Sequence, residues 1–233
     1  MKLSIVIPVF NEASTIKEVI GLIKTLEFNK EIIIVDDNST DGTKEILKNL
    51  LDEEIKVIYH DKNYGKGVAL RSGFKNVTGD IVVIQDADLE YDPKYFIQMI
   101  EEMKNSGVEV VYGSRFMNAG FLHLKHPFYI THFIGNKFLN LVLNLLYGTN
   151  ISDMETCYKM FTRKALEKME LRSKSFEIEP EITVQLLKNG FYIKEVPISY
   201  RPRDYKQGKK IHWIDGFMAL FVLLKYKFKK IGK

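Results

Sequence analysis

Along the first half of the chain, short runs of Ile and Val alternate with segments in which apolar residues recur every three or four positions. The runs Leu3–Val9, Glu31–Asp36, Lys56–Tyr59, Ile81–Gln85 and Val108–Tyr112 predict strands, and Ser14–Leu26, Asp41–Leu51, Lys66–Asn76 and Pro93–Asn105 predict helices. Apolar runs that do not alternate suit strands covered on both faces. The order therefore implies βαβ units on a mostly parallel sheet. Pro93 suits a first helical position, where the N–H it lacks would have no partner.

After Arg115 the pattern changes. Phe121 to Tyr147 is rich in Phe, Leu, His and Asn, and Asp153–Phe161 reads as a polar cluster. A helix over Glu179–Lys188 and a strand over Tyr192–Ser199 follow, then a basic loop Arg201–Lys210, then an apolar helix from Trp213 to Lys233 that ends in lysines. A chain of 233 residues with 45% hydrophobic and 27% charged residues suits one globular domain, or one with an appendage. A net charge of +4 is too mild to indicate a nucleic-acid partner. The single cysteine, Cys157, excludes an internal disulfide and fits a reducing cytoplasm. Leu3–Val9 runs into Asn11-Glu12 without a signal-peptide pattern, and no apolar stretch of about 18 residues predicts a membrane span.

The chemistry lies where the apolar runs stop. Asp86-Ala87-Asp88 directly follows Ile81-Val82-Val83-Ile84. In an open α/β sheet, ligands bind beyond the carboxyl ends of the strands, so these carboxylates are candidates to share Mg²⁺ or Mn²⁺, with Glu90 as a third oxygen ligand. The alternative is an acidic turn in which Asp92 caps the next helix. Val35-Asp36-Asp37-Asn38-Ser39-Thr40-Asp41-Gly42 ends a second strand similarly. A carboxylate there can accept from a base or a ribose hydroxyl, while Asp41 suits a helix cap. Phe10 and Glu12 leave the first strand as a stacking face and an acceptor, although a Phe at such a position is more often simply core. The segment Asn63-Tyr64-Gly65-Lys66-Gly67 resembles a phosphate-approaching loop but has neither Walker nor dinucleotide spacing.

Pro8-Val9-Phe10-Asn11-Glu12, Val35–Gly42, Asp86-Ala87-Asp88 and Gly113-Ser114-Arg115, in that order and spacing, resemble family 2 of the inverting glycosyltransferases. Asp153-Met154-Glu155-Thr156-Cys157-Tyr158-Lys159 and Phe176-Glu177-Ile178-Glu179 look like its dolichyl-phosphate mannose synthase and polyprenyl-phosphate glycosyltransferase branch. The resemblance implies a GT-A type, Rossmann-like sheet flanked by helices, with acceptor-side helices at the C-terminal end. Residues 1–117 would form the nucleotide-sugar-binding half, and 118–233 an acceptor-side half completing the same domain.

Carried over by position, the resemblance implies donor contacts from Pro8, Phe10, Glu12 and Asp37. It implies metal and diphosphate contacts from Asp86, Ala87, Asp88 and Glu90, with Arg115 near the phosphates, and Arg203 with Lys209 or Lys210 over the diphosphate. Phe10 replaces the usual Tyr, Cys157 stands where many members have Gly, and the Arg203–Lys210 spacing departs from the pattern. The acceptor-phosphate ligands are not legible; His123, Lys125, His126 and His132 occupy that region.

The implied reaction moves mannose or glucose from a GDP- or UDP-sugar to a polyprenyl phosphate. A soluble enzyme with a saccharide acceptor is the alternative, for which Asp153 is the candidate base. Asp153 equally suits a loop-holding role. The apolar run Phe217–Leu224 followed by Lys225, Lys227, Lys229, Lys230 and Lys233 suits a helix lying in a lipid interface, hence a cytoplasmic, peripherally membrane-bound protein. A helix docked on the protein itself or on another subunit is the competing reading. The nature of the base and the oligomeric state are not encoded legibly.

Overall fold

Every residue of Leu3–Val9 (β1) is buried, as a strand lacking polar alternation must be. The computed structural model describes residues 1–50, 52–117, 127–203 and 213–229, and of 127–132 the backbone alone. β1 is joined in one seven-stranded sheet by β2 (Lys30–Asp36), β3 (Ile55–Tyr59), β4 (Ile81–Ile84), β5 (Val110–Ser114), β6 (Lys159–Thr162) and β7 (Ile193–Pro197), in the order β3-β2-β1-β4-β6-β5-β7. All pairings are parallel except those of β6, which runs antiparallel between β4 and β5. The helices are α1 (Ile16–Lys24), α2 (Thr43–Lys48), α3 (Lys66–Phe74), α4 (Tyr95–Ser106), α5 (Pro127–Tyr147), α6 (Arg163–Glu167), α7 (Ile178–Lys188) and α8 (Trp213–Phe228).

Three details differ from the sequence reading. The polar cluster contains a strand, β6, whose Lys159 is buried by bonding Glu179 rather than by leaving the sheet. Pro93 lies in the turn before α4 rather than at its first position. The Asp92 side chain accepts the Lys94 N–H at 3.1 Å, but Lys94, not Asp92, is the N-cap of α4, so Asp92 braces the turn before the helix rather than capping it. The Phe- and Leu-rich stretch contributes α5, whose exposed Ile134, Phe138, Leu141 and Leu145 blur its amphipathic pattern.

The close fit of α3 onto the sheet explains Gly73, where a Cβ would stand 2.4 Å from Val6 Cγ1. α7 is the buried pillar of the second half. All its residues from Ile178 to Leu186 are buried, and Thr183 meets the Tyr112 hydroxyl at 3.0 Å. Successive strands build outward from β1 to β2 and β3, while β4 lies on the other side of β1. The chain thus leaves a crevice between the carboxyl ends of β1 and β4, the usual ligand position in an open α/β sheet.

Candidate active site

Among the described residues, three non-glycine residues have left-handed backbones, and each lies just beyond the carboxyl end of β1, β2 or β4. They are Asn11 (φ 53) after β1, Asn38 (φ 63) after β2 and Leu89 (φ 61) after β4. Asn tolerates this conformation, whereas Leu is strained in it, and such strain concentrates at functional sites. The bend at Leu89 lets Asp88 accept the Glu90 N–H at 3.1 Å and keeps both carboxylates on the crevice side.

Asp37 is buried and already well supplied with donors. It accepts from the Tyr64 N–H at 3.0 Å and the Gly65 N–H at 2.7 Å, and it meets His60 Nδ1 at 2.7 Å. Ser72 holds the other His60 ring nitrogen at 2.9 Å. Asp37 therefore fixes the loop that opens α3. The glycines of that loop serve the chain itself. A Cβ at Gly65 would lie 2.4 Å from the Lys174 carbonyl oxygen, and one at Gly67 2.6 Å from that of Ser173. The loop predicted to approach phosphate is thus packed on residues 173–174.

The acidic crevice holds an internal cation. Arg203 donates to Glu12 at 2.9 and 3.1 Å and to Asp88 at 2.9 Å, and its Nε lies 3.9 Å from Glu90. Glu90 anchors the segment that delivers this arginine. It accepts from the Arg203 N–H at 2.7 Å and the Tyr200 hydroxyl at 2.8 Å, and its carbonyl accepts from the Arg201 N–H at 3.0 Å. Burial, then the charges of Asp86 and Glu90, push the Asp88 carboxyl up to about 7 against the opposing pull of Arg203.

Asp86 faces elsewhere. Lys66 Nζ bridges Asp86 at 2.8 Å and Glu179 at 2.9 Å, and Glu179 holds Lys159 Nζ at 2.6 Å. Burial works against the Lys66 charge, but the two carboxylates prevail and raise its pKa well above the usual lysine range. Lys159 also donates to the Met154 carbonyl at 2.9 Å and to that of Thr156, so this ladder ties the end of β4 to the loop carrying Asp153. In the sequence Glu179 shows only as the end of the Phe176–Glu179 motif and the start of a predicted helix. Its available signal was its place as one of two carboxylates, with Glu181, in the first turn of a helix rich in apolar residues.

Arg115 and Asp153 meet each other. The guanidinium donates to both Asp153 oxygens at 2.8 Å, the Arg115 N–H adds a bond at 2.9 Å, and the Arg115 guanidinium lies 5.1 Å from the Tyr200 ring centroid. Glu195 supports the same loop, accepting from the Ser152 and Asp153 N–H groups at 2.9 and 3.1 Å.

Among the described residues, no three His, Cys, Asp or Glu side chains stand together as a ready metal cage. The expected trio of Asp86, Asp88 and Glu90 is divided because Lys66 draws Asp86 aside and the Tyr200–Arg203 segment occupies Glu90. The donor chemistry nevertheless fits a hard divalent cation. Carboxylate oxygens of Asp88, Glu12 and Glu90 surround one guanidinium, and Mg²⁺ or Mn²⁺ needs few protein oxygens when diphosphate and water complete its shell. Of the other predicted donor residues, Pro8 is buried in β1 and Phe10 is half-buried just beyond it. Ala87 is buried, and its carbonyl accepts from the Thr15 hydroxyl at 2.7 Å. Lys209, Lys210, His123, Lys125 and His126 lie outside the described residues, as does the side chain of His132 in α5.

At the C-terminal end, α8 packs on α5 and α7 through Ala219, Val222, Leu223 and Tyr226. Its opposite face exposes Trp213, Phe217, Phe221, Leu224 and Phe228. Among the described residues, no helix is long and apolar enough to cross a membrane.

The family model described as "Glycosyl transferase family 2" matches residues 4–170. A UDP-N-acetylglucosamine–dolichyl-phosphate N-acetylglucosaminyltransferase of Methanococcus voltae is 30% identical over 97% of this chain and 96% of its own length. The low-salt glycan biosynthesis hexosyltransferase Agl6 of Haloferax volcanii is 30% identical over 87% of this chain and 48% of its own. Among solved structures, glucosyl-3-phosphoglycerate synthase from Mycobacterium tuberculosis, in complex with Mn²⁺, UDP and phosphoglyceric acid, superposes with a TM-score of 0.73 at 19% identity. That match covers 97% of this chain and 78% of the other. The shared fold is of the GT-A type expected from the sequence.

Proposed function

The chain belongs to glycosyl transferase family 2, and from that premise we propose that it moves a hexose, with inversion, from a nucleotide diphosphate-sugar to a polyprenyl phosphate at a membrane surface. The N-terminal half through residue 117 takes the nucleotide-sugar, and the remainder completes the sheet and receives the acceptor. The acceptor oxygen attacks the anomeric carbon as the bond to the diphosphate breaks, and the electron pair leaves with the diphosphate.

The observation that carries the acceptor class is the state of Asp153. A sugar hydroxyl needs a base, yet the Asp153 carboxylate is fully engaged by Arg115. A phosphate monoester, with a second pKa of about 6, is mostly dianionic at neutral pH and needs none. The exposed apolar faces of α5 and α8, with Lys225, Lys227 and Lys229 on α8 and just beyond it, suit a protein that meets a lipid acceptor at its membrane. The Methanococcus voltae relative is named for a dolichyl-phosphate acceptor.

On the donor side, Phe10 offers a stacking face for the base, and Asp37 orders the neighbouring loop. Arg115 and Arg203 place positive charge where the leaving diphosphate gains negative charge. A divalent cation held by Asp88, with Glu90 and Glu12 in reach, would stabilise that same charge. Incubation with UDP- and GDP-hexoses, Mn²⁺ and either a short polyprenyl phosphate or free glycans tests the reading. Mass spectrometry should find the lipid-linked sugar. Transfer to the glycans alone would put the saccharide acceptor in its place.

A further inference from the structure

Arg203 occupies the position that a bound cation would contest. Its guanidinium spans Glu12 beyond β1 and Asp88 beyond β4, so it bridges the two sides of the crevice. Three hydrogen bonds to Glu90 dock the segment behind it, and Tyr91 pairs with Tyr200 across an isolated antiparallel bridge. The Arg203 Nε is buried without a hydrogen bond, so the site leaves one of its donors unsatisfied.

We propose that Arg203 is a specificity-determining residue that admits a divalent cation and a diphosphate together and resists either alone; this rests on the donor reading above. A free cation would have to displace a guanidinium held by forked hydrogen bonds and leave it without a counter-ion. A free diphosphate would meet three carboxylates opposed by one guanidinium. When both arrive, the ion pairs exchange. The carboxylates take the cation and the guanidinium takes phosphate oxygens, so each positive group keeps an anionic partner. Lysine would not substitute, because a single ammonium lacks the planar fork that spans Glu12 and Asp88.

The test is Mn²⁺ titration of the whole chain, followed by the electron paramagnetic resonance of free Mn²⁺, with and without UDP or GDP. Wild type should bind Mn²⁺ at least about tenfold tighter with nucleotide than without, a coupling of about 1.4 kcal/mol. Arg203→Gln should bind Mn²⁺ alone at least about tenfold tighter than wild type and lose most of the coupling, with unchanged circular dichroism. Arg203→Lys should fall between them. A gain in affinity is not a result that damage to the fold produces. If Arg203→Gln binds Mn²⁺ alone no better than wild type while nucleotide coupling persists, the inference is wrong and the donor reading stands. If neither nucleotide binds wild type or variant with Mn²⁺, the donor reading fails and takes the inference with it.

Discussion

Arg115 and Asp153 are joined by three hydrogen bonds, two from the guanidinium at 2.8 Å and one from the arginine backbone at 2.9 Å. Asp153 is fully buried and Arg115 nearly so. Breaking such a pair strands a buried charge, at a cost of about 3–5 kcal/mol. Asp153→Asn should therefore lower the thermal midpoint sharply, and Arg115→Met combined with it should recover part of the loss. If Asp153 instead acts as a free base, Asp153→Asn will stop transfer while leaving the midpoint in place.

Asp88 is the carboxylate assigned above to the divalent cation, and it lies against Arg203 at 2.9 Å. Its side chain keeps 15% exposure, so Asp88→Asn should leave the circular dichroism spectrum unchanged. Transfer should fall about 100- to 1,000-fold or more, as when one stabilising group aimed at developing charge is lost. EDTA should silence the wild type, and Mn²⁺ should restore it. Near-normal turnover in EDTA would sink the metal assignment.

Much of this arrangement was legible because apolar runs and their endings are local signals. β1 matches its predicted span, and β2–β5 and α1–α4 fall within a few residues of theirs. Asp37, Asp86 and Asp88 stood out because each follows a strand too apolar to be exposed. Their partners were not legible. Lys66 and Glu179, or Glu12 and Arg203, are far apart in sequence, and only the fold brings them together. β6 escaped because its Lys159 is neutralised by Glu179 on another element. The Gly65–Gly67 loop misled for a related reason. Glycine marks close backbone approach, but sequence does not say whether the approaching group is a phosphate or the chain's own carbonyls.

Phe10 lies half-buried just past β1, one strand away from Asp37 at the end of β2. If its ring stacks on the nucleoside base, Phe10→Ala should weaken binding of the free nucleoside diphosphate by about 1 kcal/mol or more. Calorimetry measures this directly. Unchanged affinity together with a lowered thermal midpoint would return Phe10 to the core.

Glu155 gives the pH dependence its sign. Its Oε1 is sealed from solvent without a hydrogen-bond partner. Burial, with Lys159 opposing and Glu179 assisting, pushes its carboxyl up from 4.5 to about 7. A folded-state pKa above the unfolded one means that the native protein binds the extra proton. Stability from this group is complete below pH 4.5 and is lost as pH rises through 7. The full loss is at most about 3–4 kcal/mol at 1.36 kcal/mol per pKa unit. Glu155→Gln should raise the thermal midpoint at pH 8 and change it little at pH 5. Equal shifts at both values would mean that the carboxyl is ionised throughout.

The last prediction concerns the membrane. Trp213, Phe217, Phe221 and Leu224 are exposed on one side of α8, as their helical spacing predicts, while α5 exposes Ile134, Phe138, Leu141 and Leu145. Deleting Phe217–Lys233 would not isolate this surface. Val222, Leu223 and Tyr226 are buried, and the Tyr226 hydroxyl donates to Glu181 in the buried pillar α7. Point changes are the cleaner probe. Burying a large apolar side chain contributes about 1.5–3 kcal/mol, and a lysine near anionic headgroups about 1 kcal/mol. The wild type should therefore co-sediment with vesicles containing phosphatidylglycerol, and high salt should weaken the binding without abolishing it. Phe217→Gln with Phe221→Gln should cost about tenfold or more in vesicle affinity. The double variant should also slow transfer to polyprenyl phosphate while leaving nucleotide binding intact. If wild type ignores these vesicles and the double variant transfers to lipid as fast as wild type, the apolar faces serve some other partner and the membrane reading fails.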